Sequence, residues 1–329
     1  MLVCGIVQSK SVKLDDIAEE VESASKVDSQ TMQFRRWLKN ERIDAKLHYL
    51  PFIQQLLHSV AKQPLVLVID GSTCARGCMT LMVSMVYQGR ALPLLWLTRK
   101  SKKGHFPEDM HVELIRLVKA VVPFGTEVVC LGDGEFDGCQ WLQEIKRFGW
   151  HFVCRTAKNA VFYEEGERFS IQDICPERGG CIEITGLEFT DARTVKLNAV
   201  VYWSREYKAP LYLVTSFPTA GEAHFWYRKR FKIETLFSDW KGRGFNLQKS
   251  GLTEPSRVNR LLIAVALAYV WMIYLGKLAM ENRWKTLIHR TKRCDLSLFR
   301  MGRRLFKYFL KQGKALPPFC LVLSVELGC

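Results

Sequence analysis

The chain alternates between stretches whose apolar residues recur at helical spacing and short runs in which nearly every position is apolar. Leu14, Ile17, Ala18 and Val21 fall on one helical face. A second helix, capped by Ser29, carries Phe34, Trp37 and Leu38 on one face and Arg35 and Arg36 on another. Two short helices with a basic second member fit either an ordinary packed pair or a helix-turn-helix. After Pro64 the texture changes. LVLVI (65–69) is a continuous apolar run, which predicts a strand buried on both faces. LMVSMVY (81–87), the turn QGRA and LPLLWLT (92–98) complete a three-stranded meander. Val112, Ile115, Leu117 and Val118 then mark a helix, EVVCLG (127–132) a buried strand, residues 136–148 a helix and HFVCR (151–155) another strand. From 156 to 217 the apolar runs are short and broken by Gly and charged turns, as in CIEITGLEF, LNAVVYW and PLYLVTS, predicting a β-rich insertion before helices resume at Ala220. This order of elements implies an α/β layer architecture with a mixed sheet. The run LLIAVALAYVWMIYL (261–275) falls short of the ~20 residues that a membrane span needs and reads as a buried core helix.

Charge narrows the range of partners. The 48 Lys+Arg against 33 Asp+Glu give a net +15 and a pI near 9.4, which suits a polyanion, with nucleic acid the first candidate and an anionic membrane surface the second. Between Lys277 and Lys314 twelve Lys/Arg face only Glu281 and Asp295, interleaved with Trp284, Phe299, Phe306, Tyr308 and Phe309. Eleven cysteines without a framework read as reduced thiols of a cytosolic compartment. Cys74 and Cys78 have no second pair nearby, which argues against a zinc site. MLVCGIVQSKSVKL lacks the charged start and cleavage site of a signal peptide.

In so basic a chain the acids at strand ends stand out. Asp70 follows VLVI and Asp133 follows CLG, each before a glycine that permits a sharp turn, at the strand ends where sites of open α/β sheets collect. Asp137 competes with Asp133, but is expected in the first turn of the next helix, where an acid favours the dipole. A third acid, Glu234, lies within YRKRFKIETLFSDWKGRG (227–244). On a continuous helix Arg230, Glu234 and Lys241 fall at roughly −60°, −20° and −40° from Tyr227, one narrow stripe beside an apolar face of Trp226, Ile233, Leu236, Phe237 and Trp240. Three carboxylates from separate elements are the donor set of a two-metal phosphoryl-transfer site.

Tyr227, Arg230, Glu234 and Lys241 match at every spacing a Tyr-x2-Arg-x3-Glu-x6-Lys signature, and in this the chain resembles the DDE transposases of the insertion-sequence-four family. The resemblance implies a ribonuclease-H-like fold with a β-rich insertion between the second Asp and the Glu. It implies that Asp70, Asp133 and Glu234 form the catalytic, metal-binding triad and that Tyr227, Arg230 and Lys241 contact DNA. The cofactor so implied is Mg²⁺, two ions, for which Mn²⁺ substitutes. The implied partners are double-stranded DNA, as terminal inverted repeats and target, and a second copy of the chain on synapsed ends, in the bacterial cytoplasm at the nucleoid. The domains expected are an N-terminal helical DNA-binding region (1–60), a catalytic domain in two parts (61–156 and 218–280), the insertion (157–217) and a basic C-terminal region (281–329). Some members of the family stack a flipped base on an aromatic residue, for which Trp203 is the candidate. The alternatives are a transposase-derived DNA-binding protein that does not cut and a ribonuclease-H-like DNA nuclease.

Overall fold

The computed structural model describes residues 1–60, 63–101, 104–289 and 295–318. Five helices come first: α1 (Leu2–Ser9), α2 (Leu14–Glu20), α3 (Val27–Lys39), α4 (Ala45–His48) and α5 (Leu50–Val60). The basic helix starts two residues before the expected Ser29 cap; Lys26 occupies the cap position, and Asp28 in the first turn supplies the charge that favours the helix dipole. Phe34 and Leu38 turn inward.

The three apolar runs then fold as the expected meander, β1 (Leu65–Ala75), β2 (Cys78–Tyr87) and β3 (Arg90–Lys100). Gln88 and Gly89, both at positive φ (44° and 71°), make the two-residue hairpin turn whose twist matches that of the strands. There follow α6 (Glu108–Lys119), β4 (Val128–Gly132), α7 (Cys139–Arg147) and β5 (His151–Arg155). β1, β4 and β5 are parallel neighbours, and β4 is buried at all five positions, as a central parallel strand must be.

The β-rich segment supplies β6 (Val161–Glu164), β7 (Glu167–Ser170), β8 (Cys181–Phe189), β9 (Val195–Tyr202) and β10 (Leu211–Thr215). These strands extend the same sheet, because β10 pairs antiparallel with β5; the order is β3-β2-β1-β4-β5-β10-β9-β8-β6-β7. The chain returns through α8 (Ala220–Tyr227), α9 (Lys232–Trp240), α10 (Pro255–Glu281), α11 (Lys285–Ile288) and α12 (Leu298–Lys311). The fold is thus a ten-stranded mixed sheet with helices packed upon it.

Alternation along β1 assigns the two sheet faces near the middle of the molecule. A Cβ on Gly71 would lie 2.5 Å from Phe106, just before α6, so that face belongs to α6. Asp70 and Ser72 point to the opposite face, under α9.

α10 is long and apolar enough to cross a membrane, but 83% of its apolar window is buried inside the protein, against β3, α1, α3 and α12. Buried Arg260 ties it to the N-terminal helices by donating to the carbonyls of Leu38, at the end of α3, and Ile43. Two glycines let α10 and α12 touch backbone to backbone. A Cβ on Gly302 would sit 1.8 Å from the Met272 carbonyl oxygen, and one on Gly276 2.0 Å from that of Leu298. Phe299 and Phe306, expected on a basic face, are core residues of α12. Arg290, Lys292, Arg293 and residues 319–329 of the expected C-terminal region lie outside the described residues.

α9 is fastened to the sheet through a buried acid. Asp239 accepts from Arg90 at the start of β3 (3.4 Å), yet burial outweighs Arg90 and the other arginines nearby and pushes its carboxyl up to about 6. The folded state therefore holds this proton more tightly than the unfolded chain. The corresponding stability is present below about pH 4 and lost as pH rises to about 6. Asp239→Asn is expected to remove that slope and to gain on the order of 2 kcal/mol at pH 7, as read from denaturation midpoints between pH 4 and 8.

Candidate active site

The register of the parallel strands brings the two aspartates together. The β1–β4 ladder ends at the pair Val68↔Leu131, and Asp70 and Asp133 each stand two residues beyond it. Asp70 does not end its strand, as expected from the sequence: β1 runs on to Ala75 by pairing with β2 alone, with Asp70 opposite Met82. Gly71 is accordingly not a turn residue but leaves room for Phe106. Asp133 does leave its strand. Its carboxylate accepts from the Glu135 N–H (3.0 Å) and its carbonyl from the Phe136 N–H (3.0 Å).

Asp137 is not in the next helix, which begins at Cys139 behind Gly138. It is held by the Thr156 hydroxyl (2.6 Å), and burial raises its carboxyl above the usual range. For Asp70, burial and then the negative charge of Asp133 push the carboxyl up to about 7, with the Gly71 N–H and Arg230 offsetting part of the rise.

The signature segment is not one helix. α8 ends at Tyr227, residues 228–231 form a turn closed by three-residue bonds from Lys229 N–H to the Trp226 carbonyl and Arg230 N–H to the Tyr227 carbonyl (both 2.9 Å), and α9 restarts at Lys232. The tighter turn breaks the 100° progression, so the four residues do not form one straight stripe, although Arg230 still meets Glu234 and lies 5.9 Å from the centre of the Tyr227 ring. Tyr227 and Arg230 are buried instead, 4% and 7% exposed, while Glu234 stays exposed. Ile233, Leu236, Phe237 and Trp240 pack inward as expected.

Glu234 accepts from Arg230 at 2.7 Å. Arg230 also lies over the Phe231 ring (4.4 Å), and although burial opposes its charge, Tyr227, Glu234 and Asp70 raise its pKa on balance. Tyr227 is pushed up to about 12, by burial first. Lys241 caps the C-terminal end of α9 and donates to the Ser72 hydroxyl at 2.6 Å. Ser72 shares the Asp70 face of β1, so this bond seats the lysine on the side of the strand that carries the acid. Trp203 is half-buried, its indole N–H donating to the Tyr207 carbonyl (3.2 Å).

Carboxylate oxygens are the donors that hard divalent cations prefer, and the raised carboxyl of Asp70 marks a deficit of positive charge beside it, so the residues fit such ions chemically. As they stand they do not close on one point: among the described residues no three His, Cys, Asp or Glu side chains are grouped to hold a metal. Glu234 is held by buried Arg230, which needs a carboxylate partner, yet its charge still reaches Asp70 and adds to the rise of that carboxyl.

Two features escaped the sequence reading. Ser72 could have been found from the two-residue period, which puts it on the face of Asp70. The Glu135 carboxylate had no local signal: it accepts from the Phe106 N–H and meets His105 (3.3 Å), latching the Asp133 loop to the segment that covers Gly71. Glu135→Ala is expected to cost about 1–3 kcal/mol of stability and to slow DNA nicking by about 10²-fold through displacement of the loop. Glu135→Gln, which keeps an acceptor for the Phe106 N–H, should recover most of both in denaturation and single-turnover assays.

With this geometry described, comparison with known proteins gives the class. The family model described as the transposase DDE domain matches residues 43–271, and the chain belongs to that family. It is a DDE transposase, an enzyme of DNA cleavage and strand transfer, with DNA as its partner and divalent metal ions as the cofactors of its class. Among solved structures, a piggyBac transposase synaptic complex with hairpin DNA is similar at a TM-score of 0.50 and 12% identity, over 95% of this chain and 71% of that one. At that identity the likeness speaks for the fold, which is ribonuclease-H-like. Human ENDOV aligns at 13% identity over 72% of this chain and 95% of that one, with a TM-score of 0.26 that carries no argument. No curated protein sequence matches significantly.

Proposed function

We propose that the chain is a transposase of the insertion-sequence-four type in which Asp70, Asp133 and Glu234 hold two Mg²⁺ ions, with Mn²⁺ able to substitute. The observation that carries the reading is the equal offset of Asp70 and Asp133 from the end of the β1–β4 ladder, with the signature segment folded over the Asp70 face. When bound, such ions supply positive charge at the attacking and leaving oxygens of a phosphodiester. The reaction is hydrolysis at each transposon end, which frees a 3′-OH, followed by in-line attack of that hydroxyl on target DNA.

The side chains of this chain have separable parts in it. Arg230 and the ammonium of Lys241 present positive charge to phosphate oxygens, and Tyr227, which contacts the DNA with them, also anchors by its burial the turn that carries Arg230. Release of Glu234 from Arg230 frees a carboxylate for the metal and a guanidinium for the DNA in one movement. The proposal extends to the terminal inverted repeats as substrate and to a helical DNA-binding part within 1–60, the catalytic parts at 61–156 and 218–280, the insertion at 157–217 and the basic part at 281–329. It extends also to a homodimer on synapsed ends, in keeping with the description of the piggyBac assembly as a synaptic complex. The setting is the nucleoid of a bacterial cytoplasm, in keeping with cysteines that are free among the described residues.

The test is incubation of the purified protein with duplexes carrying the inverted repeats that flank its gene. Nicking at the repeat ends with Mg²⁺ or Mn²⁺, abolished by EDTA, is the expected result. Binding to the repeats without cleavage in either metal would overturn it in favour of a non-cutting DNA-binding protein.

A further inference from the structure

Beyond Lys241 the chain turns through Gly242–Gly244 and reaches Asn246, whose φ of 53° places its side-chain N–H₂ against the carbonyl of Lys10 (3.1 Å). That bond joins the strand-covering segment to the end of α1 and forms a saddle between two clefts. On one side a cleft of about 380 Å³ is walled by Lys10, Arg243, Arg300, Arg303, Arg304 and Lys307, with no acid among its lining residues. On the other side a cleft of about 590 Å³ is lined by Lys13, Arg35, Lys39, Lys249 and Arg257. Asp15 is the single acid there, exposed and 3.9 Å from Arg35. The clefts meet along the same two strands of chain: Lys10 lines one and Lys13 the other, and likewise Asn246 and Lys249.

We propose that these two clefts form one trough that carries the phosphate backbone of duplex DNA, independently of base sequence, away from the candidate active site. Three features argue for a built surface rather than a merely solvated face. First, the cations come from segments far apart in sequence, α1, the turn after α9 and α12, so no single amphipathic pattern accounts for them. Second, their crowding has a cost: Lys307 and then Arg303 pull the ammonium of Lys10 below its ordinary value, and the nearby acid, Asp239, is shared among Arg90, Arg243, Arg303 and Arg300. A row of anions is what such a surface lacks. Third, neither lining holds an aromatic side chain on which a base could stack, and the Asn246 side-chain N–H₂ already donates to the Lys10 carbonyl, so the surface is dominated by cations suited to phosphate oxygens. Contacts of this kind position a duplex without reading it. Duplex DNA is favoured over a free polyphosphate because Gly242, which lines one cleft, directly follows Lys241, the residue seated on the face that bears Asp70 and Ser72. The proposal rests on the DNA-cutting reading of that face for its direction, and its test is separate.

The test is fluorescence anisotropy of a 40-base-pair duplex without any terminal repeat, in EDTA, over a series of KCl concentrations. Two trough variants, Arg300→Ala/Arg304→Ala/Lys307→Ala and Lys39→Ala/Lys249→Ala/Arg257→Ala, are compared with Lys158→Ala/Lys196→Ala/Lys208→Ala, which removes three exposed cations elsewhere. Each trough variant should bind about tenfold or more weakly, and its slope of log affinity against log salt should fall by about 2–3, roughly 0.9 per lost phosphate contact. Their thermal midpoints should equal or exceed that of the parent, because like charges have been removed, and the control variant should bind within about twofold of it. Equal binding by trough and control variants overturns the proposal. So does inorganic triphosphate that competes with the duplex at equal phosphate concentration, which would make this a small-anion site. Failure of the parent protein to nick repeat-bearing DNA in Mg²⁺ would count against the catalytic reading and leave the trough standing.

Discussion

Replacing Asp70 or Asp133 by Asn, or Glu234 by Gln, is expected to slow DNA nicking on the order of 10³-fold, about 4 kcal/mol of barrier, while the folded protein keeps its grip on DNA. The expectation follows from placement. Asp70 and Asp133 each stand two residues beyond the end of the parallel ladder, and burial together with the charge of Asp133 leaves Asp70 short of positive charge. An amide in any of the three positions keeps the shape and removes a charged oxygen donor. Asp137→Asn provides the internal comparison. Its carboxylate is engaged by Thr156, so this variant should lose far less activity than Asp133→Asn. The measurement is single-turnover nicking of a repeat-bearing duplex alongside anisotropy of the same duplex. Equal losses at Asp133 and Asp137 would reopen the choice between them.

The second large effect concerns the fold. Gly302→Ala should cost about 3 kcal/mol or more of stability, at the upper end of what overpacking usually costs. Its new methyl group would stand 1.8 Å from the carbonyl oxygen of Met272, and the obstacle is helix backbone rather than a side chain that can swing aside. α10 and α12 would have to separate, loosening the contacts of Phe299 with Phe245 and Tyr269. Gly221→Ala, in α8 with open space around it, should be neutral or slightly stabilising because alanine is the better helix former. The denaturant midpoints of the two variants test the contrast.

What the sequence made legible were the elements whose signal is local. The run 65–69 announces the part of β1 that is buried on both faces, whereas residues 70–75 pair with β2 alone and carry no such run, so the strand's true end was hidden. The Gln88–Gly89 turn was readable from its glycine, which adopts positive φ at no steric cost. The break at 228–231 was not readable: no glycine or proline marks it, and it depends on Arg230 burying itself and finding Glu234. The early start of α3 hid because Lys26 at its cap position offers no side-chain signal, while Ser29, the expected cap, lies inside the helix. The three acids and the signature spacing could be listed from sequence, but the seat of Lys241 on Ser72 required the pairing of elements 169 residues apart. The latch from Glu135 to Phe106 likewise joins a strand end to a distant loop.

The measurement that bears most directly on the proposed site is anomalous diffraction from crystals of the protein grown with Mn²⁺ and a repeat-bearing duplex. The account predicts manganese density ligated by Asp70, Asp133 and Glu234, with the Arg230–Glu234 pair opened and Arg230 on a DNA phosphate. Manganese bound elsewhere, or absent from these carboxylates while Glu234 stays on Arg230, would contradict it.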